Sequence, residues 1–168
     1  RKVSVLRYNM DTKEQIVVVV PTYNEIENLS ELVRRLFRLN IATLRLIVVD
    51  DASPDGTGTL AEELATQYPQ RISVLHRPQK NGLGPAYISG FHHALQCGAN
   101  AIIQMDADLS HAPEDLPSLL KALGKADVVV GSRYMPGGRI DHRWSRIRRL
   151  LSLSGNFYAR CATGLQLR

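Results

Sequence analysis

The chain is poor in cysteine: Cys97 and Cys161 stand far apart, with no Cys-x-x-Cys and no His/Cys cluster. That excludes a disulfide framework and a zinc ribbon, and leaves the ordinary free thiols of a reducing compartment. No uninterrupted apolar run is long enough for a bilayer. Asn81 to Met105 has no Lys, Arg, Asp or Glu for 25 residues, yet Gly82, Gly84, Pro85, Gly90 and two histidines break it, so no transmembrane helix is expected. No basic and apolar leader is readable, and Arg1 rather than Met heads the chain, which suits a fragment of something longer. Aromatic residues make up only 6% and do not interleave with the basic ones, which argues against single-stranded nucleic acid as a partner.

Acidic residues are scarce in one place only. Residues 133–168 hold eight Arg against one Asp, whereas 1–132 hold thirteen basic against fifteen acidic residues, so the net charge of +5 is a property of the tail. Such a block suits acidic lipid headgroups, a phosphorylated substrate or nucleic acid; a solvated helix face is the ordinary alternative. From Trp144, Ile147, Leu150, Leu151, Ser154, Tyr158 and Cys161 trace one helical stripe opposite Arg148, Arg149, Ser152 and Arg160, which predicts a basic amphipathic helix able to lie on an anionic membrane surface.

Phosphate-binding glycine loops are also missing. Val20 is followed by Pro21-Thr22-Tyr23-Asn24-Glu25, not by Gly-x-Gly-x-x-Gly, and no Gly-Lys-Ser/Thr occurs. The formal match Gly56 to Ala61 lies behind Asp50, Asp51 and Asp55, which would repel a diphosphate.

What is present is a repeated strand–helix alternation in a chain of 168 residues and 44% apolar content, a size for one domain with a real core. Ile16 to Val20 is a continuous β-branched run ended by Pro21. Asn24 is placed to cap a helix carrying Leu29, Leu32, Val33, Leu36 and Phe37. Further strands are expected at Leu44 to Val49, Ile72 to His76, Ala101 to Met105 and Asp127 to Val130. Helices are expected near Thr59 to Tyr68, from the Asn81–Gly84 loop to Gln96, and over Pro113 to Leu123. Such alternation predicts a mostly parallel sheet with helices on both faces, and ligands in such sheets bind beyond the carboxyl ends of the strands. Those ends read Pro21–Glu25, Asp50-Asp51, Asp106-Ala107-Asp108 and Gly131-Ser132-Arg133.

The third of these ends organises the rest. In extended chain, residues two apart project to one side, so Asp106 and Asp108 can face one ligand. Hard dications such as Mg2+ or Mn2+ take one or two carboxylates and complete their shell with water and substrate phosphates. An isolated Asp-x-Asp is more often a polar turn that caps the next helix, and the matching equipment on the other strand ends is what favours a site.

Val-Pro-Thr-Tyr-Asn-Glu, Val-Val-Asp-Asp-Ala-Ser-Pro-Asp-Gly-Thr, Met-Asp-Ala-Asp-Leu-Ser-His-Ala-Pro-Glu and Gly-Ser-Arg-Tyr, in that order between about Val17 and Asn156, resemble glycosyltransferase family 2, most closely its polyprenol-phosphate mannose synthase branch. The resemblance implies an A-type glycosyltransferase (Rossmann-like) α/β sandwich. The whole chain would be one catalytic domain: 1–132 handles nucleotide sugar and metal, and 133–168 is a basic acceptor-binding part. It implies GDP-mannose as donor, with contacts at Pro21, Tyr23, Glu25, Val49, Asp51, Lys80, Gly82 and Asp106. Mg2+ or Mn2+ would be held by Asp106 and Asp108. Ser110, where many relatives have Gln, offers a shorter and weaker third ligand. A polyprenyl or dolichyl phosphate acceptor would meet Arg133, Arg148 and Ser152, and Asp108, Arg133 and Arg148 would carry catalysis. A peripheral place on the cytosolic face of a membrane follows, with small membrane-anchoring subunits as partners.

Two other readings stand beside this one: a relative using a different nucleotide sugar such as UDP-glucose, and a donor-binding module without turnover. The family usually continues with an Asp-x-Thr-Gly-Phe type motif, whereas this chain ends at Gly164-Leu165-Gln166-Leu167-Arg168, which fits either a truncated copy or a minimal catalytic domain whose anchors lie elsewhere.

Overall fold

The computed structural model of the protein describes residues 14–131; the basic tail, with Arg133, Arg148 and Ser152, lies outside them. Residues 14–118 belong to one compact unit and 119–131 to a second. In chain order the elements are β1 (Ile16–Thr22), α1 (Ile26–Arg38), β2 (Leu44–Asp50), α2 (Thr57–Gln67), β3 (Ile72–His76), α3 (Leu83–Gln96), β4 (Ala101–Gln104), a 3-10 turn at Pro113–Asp115 and α4 (Leu116–Leu123). All four strands are parallel, in the order β3-β2-β1-β4.

The continuous apolar runs of β1 and β2 are explained by their central places, which bury both faces. On one face, Val17, Val19, Ile47 and Val49 pack with Ala86, Tyr87 and Ala94 of α3. The other face presents Ile16, Val18, Val20, Leu44, Leu46 and Val48, all at most 1% exposed, on the side where Gly58 of α2 lies against Asp50 and His76. The apolar stripe of α1 that the sequence predicted, Leu29, Leu32, Val33, Leu36 and Phe37, is buried throughout.

Three expectations are corrected. Pro21 does not end β1: the strand runs to Thr22, paired with Asp50. Val19 O accepts from Met105 N at 3.2 Å, so Pro21, two residues on, turns its nitrogen toward the same side, where it has no N–H to give and the pairing with β4 stops at Gln104, while β2 still pairs with Pro21 on the other side. Asn24 does not cap α1. It sits in the left-handed region at φ 60°, and the free N–H groups at the start of the helix are met instead from the loop after β2, described below. Asp127 to Val130 forms no strand. Val128 and Val130 are 76% and 60% exposed, and no described strand pairs with this segment, so its β propensity has no ladder to enter.

Gly90 is the point of closest approach between helix and sheet. A Cβ there would lie 2.3 Å from Val19 Cγ1 and 3.0 Å from Val49 Cγ2. Gly90→Ala gains about 1 kcal/mol of helix propensity, but two β-branched side chains in the middle of a sheet have nowhere to go. The substitution should therefore destabilise by a net ~1–3 kcal/mol through overpacking, read as a lower urea midpoint at unchanged m-value.

Arg35 of α1 holds Glu114 of the 3-10 turn through a two-pronged ion pair, its Nε 2.8 Å from Oε1 and its Nη2 on Oε2. The guanidinium lowers the Glu114 carboxyl to about 2. A depressed folded-state value stabilises the protein above the unfolded carboxylate value and loses that contribution as pH falls from about 4.5 toward 2. Wild type and Glu114→Gln should therefore differ slightly in melting temperature at pH 7, the Glu114 side chain being 54% exposed, and converge near pH 2.

Candidate active site

The loops after β1 and β2 are tied together by two hydroxyl bridges of the same design. Ser53 Oγ donates to Asp50 Oδ1 at 2.6 Å and accepts the Asn24 N–H at 3.1 Å. Thr57 Oγ1 donates to Asp55 Oδ1 at 2.6 Å and accepts the Glu25 N–H at 3.0 Å, while Asp55 Oδ2 accepts the Ile26 N–H at 3.3 Å. The Thr57 hydroxyl holds the Asp55 carboxyl below the ordinary aspartate range. The acidic Asp-Asp-Ala-Ser-Pro-Asp sequence is therefore largely scaffold. Asp50, 3% exposed, also accepts from the Ser53 N–H and Thr22 Oγ1, and Asp55 caps both α1 and α2.

Asp51 is the member of this group that faces a ligand space. A cleft of about 240 Å³ opens at the carboxyl ends of β1 and β4, where the strand order reverses, lined by Pro21, Thr22, Tyr23 and Glu25 after β1, Asp51 after β2, Lys80, Gly82, Leu83 and Ala86 at the start of α3, and Asp106, Ala107 and Asp108 after β4. The structure thus brings together Pro21, Tyr23, Glu25, Asp51, Lys80, Gly82, Asp106 and Asp108. It sets Val49 apart: that side chain is fully buried among the residues that pack under α3, because β2 still alternates inward there. Ser110 is exposed and does not line the cleft. The turn through Leu109, at φ 60°, brings the Ser110 N–H to 2.9 Å from Asp108 Oδ1, so its contact with the Asp-x-Asp is through the backbone. His111 likewise serves the turn, its Nδ1 accepting the Asp106 N–H at 3.3 Å.

Two side chains here were not picked out from the sequence. Arg77 Nη1 lies 2.6 Å from Asp51 Oδ1, both nearly buried, so the carboxylate is held and neutralised from behind. Tyr87 donates its hydroxyl to Asp106 Oδ1 at 2.6 Å. Burial first, and the adjoining Asp106 second, push the Tyr87 hydroxyl far above its ordinary value, so it stays protonated as a donor. The available signals were faint: Arg77 directly follows a strand end, and Tyr87 shares the helical face of Gly90 and Ala94.

Apart from the neutralised Asp51, the lining carries Glu25, Asp106 and Asp108 against Lys80, the one cation lining the cleft among the described residues, whose Nζ stands 3.7 Å over the Tyr23 ring. Among the described residues no group of three or more His, Cys, Asp and Glu forms a closed metal cage. An all-oxygen pair of carboxylates on an open cleft is instead a donor set that suits a dication sharing its shell with ligand phosphates.

An open parallel sheet with its cleft at the point of strand reversal is a doubly wound α/β fold, and its likeness to a solved glycosyltransferase makes it the A-type fold of that class. The chain belongs to glycosyl transferase family 2, whose profile matches residues 17–167. It is 46% identical over 153 residues to "Polyprenol monophosphomannose synthase" of Mycolicibacterium smegmatis, covering 90% of this chain and 57% of that protein. The identity is again 46% over 153 residues with "Undecaprenyl-phosphate mannosyltransferase" of Micrococcus luteus, covering 91% and 62%. With "Dolichol-phosphate mannosyltransferase" of Pyrococcus furiosus it is 39% over 150 residues, covering 88% and 41%. The chain therefore spans less than two thirds of the length of these relatives. Among solved structures, a mannosyltransferase of Pyrobaculum calidifontis in complex with GDP-Man and Mn2+ is similar at TM-score 0.58 and 27% identity, over 67% of this chain and 34% of that one.

The buried Arg77–Asp51 pair gives a test of the rim itself. Arg77→Met keeps much of the volume but strands a carboxylate that is 4% exposed, so a loss of roughly 3–5 kcal/mol is expected on urea unfolding at pH 7; Asp51→Asn should restore part of it in the double variant.

Proposed function

We propose that this chain carries the donor-binding and catalytic portion of an inverting mannosyltransferase that moves mannose from GDP-mannose to a polyprenyl or dolichyl phosphate. The observation that carries the reading is the convergence of Tyr23, Glu25, Asp51, Lys80, Asp106 and Asp108 on one cleft, in a chain 46% identical to a relative named for polyprenol phosphate and mannose.

The nucleotide lies along the β1 and β2 ends, with Pro21, Tyr23, Glu25 and Asp51 toward the base and ribose and Lys80 and Gly82 toward the phosphates. Asp106 and Asp108 hold Mg2+ or Mn2+, which supplies charge stabilisation at the leaving diphosphate. The acceptor needs no protein base. A phosphate monoester has a second pKa of roughly 6, so near neutral pH its oxygen is already an anionic nucleophile. That oxygen bonds to mannose C1 as the bond from C1 to the GDP oxygen breaks, and GDP leaves with the electron pair, so the configuration at C1 inverts. Arg133, Arg148 and Ser152 aim the acceptor phosphate, the two arginines by bidentate hydrogen bonding. The basic segment 144–160 brings the chain to the cytosolic leaflet that holds the prenyl chain, with any small anchoring subunits beside it. No described helix is long and apolar enough to cross a membrane.

The test is transfer of radiolabelled mannose from GDP-mannose to a polyprenyl phosphate, with Mg2+, Mn2+ or chelator, beside Asp108→Ala and Arg148→Ala. Product formed only with metal, inverted at C1, and reduced at least 100-fold in both variants is expected. Retention at C1, or equal transfer from UDP-glucose, would overturn the donor and mechanism; metal-dependent GDP-mannose binding without product from any acceptor would leave a binding module.

A further inference from the structure

A carboxylate at the end of a strand rotates freely unless something holds it, and Asp106 sits just past β4 with its backbone N–H on His111 Nδ1 and its side chain on Tyr87. We propose that Tyr87 is a positioning residue: its hydroxyl fixes the Asp106 carboxylate in the orientation that receives the donor's divalent cation. This rests on the reading of Asp106 and Asp108 as the cation's protein ligands.

Three features carry it. The bond is short, 2.6 Å from the hydroxyl to Oδ1, so that oxygen is engaged and a cation at this carboxylate falls to Oδ2, which lies 3.9 Å from His111 Nδ1. The donor is rigid. Tyr87 is 4% exposed, its ring packs against Phe91 with centroids 5.7 Å apart, and it lies three residues before Gly90, where α3 is pressed hardest onto Val19 and Val49. The hydroxyl is therefore referenced to the sheet itself and not to a loop. Finally, the same helical face is otherwise made of Gly90, Ala86 and Ala94, where a phenylalanine would satisfy packing without the need to pair a buried hydroxyl. Groups behind a ligand that set its orientation typically change metal affinity by roughly 10–100-fold when removed.

The experiment is Mn2+ binding to the full chain in the presence of GDP, followed by the paramagnetic resonance of free Mn2+, for wild type, Tyr87→Phe and Val33→Ala. Val33→Ala truncates the buried face of α1 and serves as a variant that loosens the fold without touching the cleft. Tyr87→Phe should raise the Mn2+ dissociation constant about tenfold or more while melting near the wild-type temperature; Val33→Ala should melt lower with Mn2+ affinity unchanged. A Tyr87→Phe affinity within twofold of wild type overturns the proposal and leaves the cation reading intact, and so does an equal loss of affinity in Val33→Ala. Absence of Mn2+ binding by wild type with GDP overturns the cation reading and this inference with it.

Discussion

The approach of α3 to the sheet at Gly90 is the constraint on which most of the site depends. With hydrogen in place of a side chain, the helix backbone settles against Val19 and Val49, and that height decides where the first turns of α3 meet the strand ends. Gly82, Leu83 and Ala86 then wall the cleft from the α3 side, Lys80 reaches the Tyr23 ring, and Tyr87 comes within bonding distance of Asp106. A helix held farther out would open the cleft and release the carboxylate together, which is why one small residue in the core has consequences at the rim.

The other half of the rim is built by a different principle. At the carboxyl ends of β1 and β2 the Ser53 and Thr57 hydroxyls accept the Asn24 and Glu25 N–H groups and donate to Asp50 and Asp55, while Asp55 takes the Ile26 N–H directly. This satisfies the N–H groups that begin α1 and fixes Tyr23 and Glu25 relative to Asp51 in a single stroke. Charge is distributed accordingly. Asp50 and Asp55 are spent on backbone and hydroxyl donors and Asp51 on Arg77, while Asp106, held by Tyr87, and Asp108, which accepts the Ser110 N–H, line the cleft with Glu25. With no glycine loop and an acidic lining, this cleft offers a diphosphate few donors of its own, which is why the proposed donor reading calls for a dication at Asp106 and Asp108.

What could be read from residues alone follows local physics. Continuous β-branched runs at Ile16 to Val20 and Leu44 to Val49 mark central strands, the spacing of Leu29, Leu32, Val33, Leu36 and Phe37 marks a buried helical stripe, and Asp106-Ala107-Asp108 after an apolar run marks a strand end bearing chemistry. These signals are intrinsic to their segments. Where the reading failed, a partner distant in sequence decided the outcome: Pro21 stays inside β1 because β2 pairs with it as far as Thr22, Asn24 does not cap because Asp55 and Thr57 do, and Asp127 to Val130 has the composition of a strand without a described neighbour to pair with.

The sequence by itself therefore determined the alternation of strands and helices, the parallel sheet they make, and the set of carboxylates that end up on one rim, because periodicity and strand polarity dictate each of these. Only the tertiary structure decided which aspartates face the ligand and which hold loops. It alone placed Val49 in the core and Ser110 outside the cleft, and joined Arg77 to Asp51 and Tyr87 to Asp106. Those pairings span 26 and 19 residues, and no local preference encodes them; they exist because the sheet order and the seat of α3 bring the partners together.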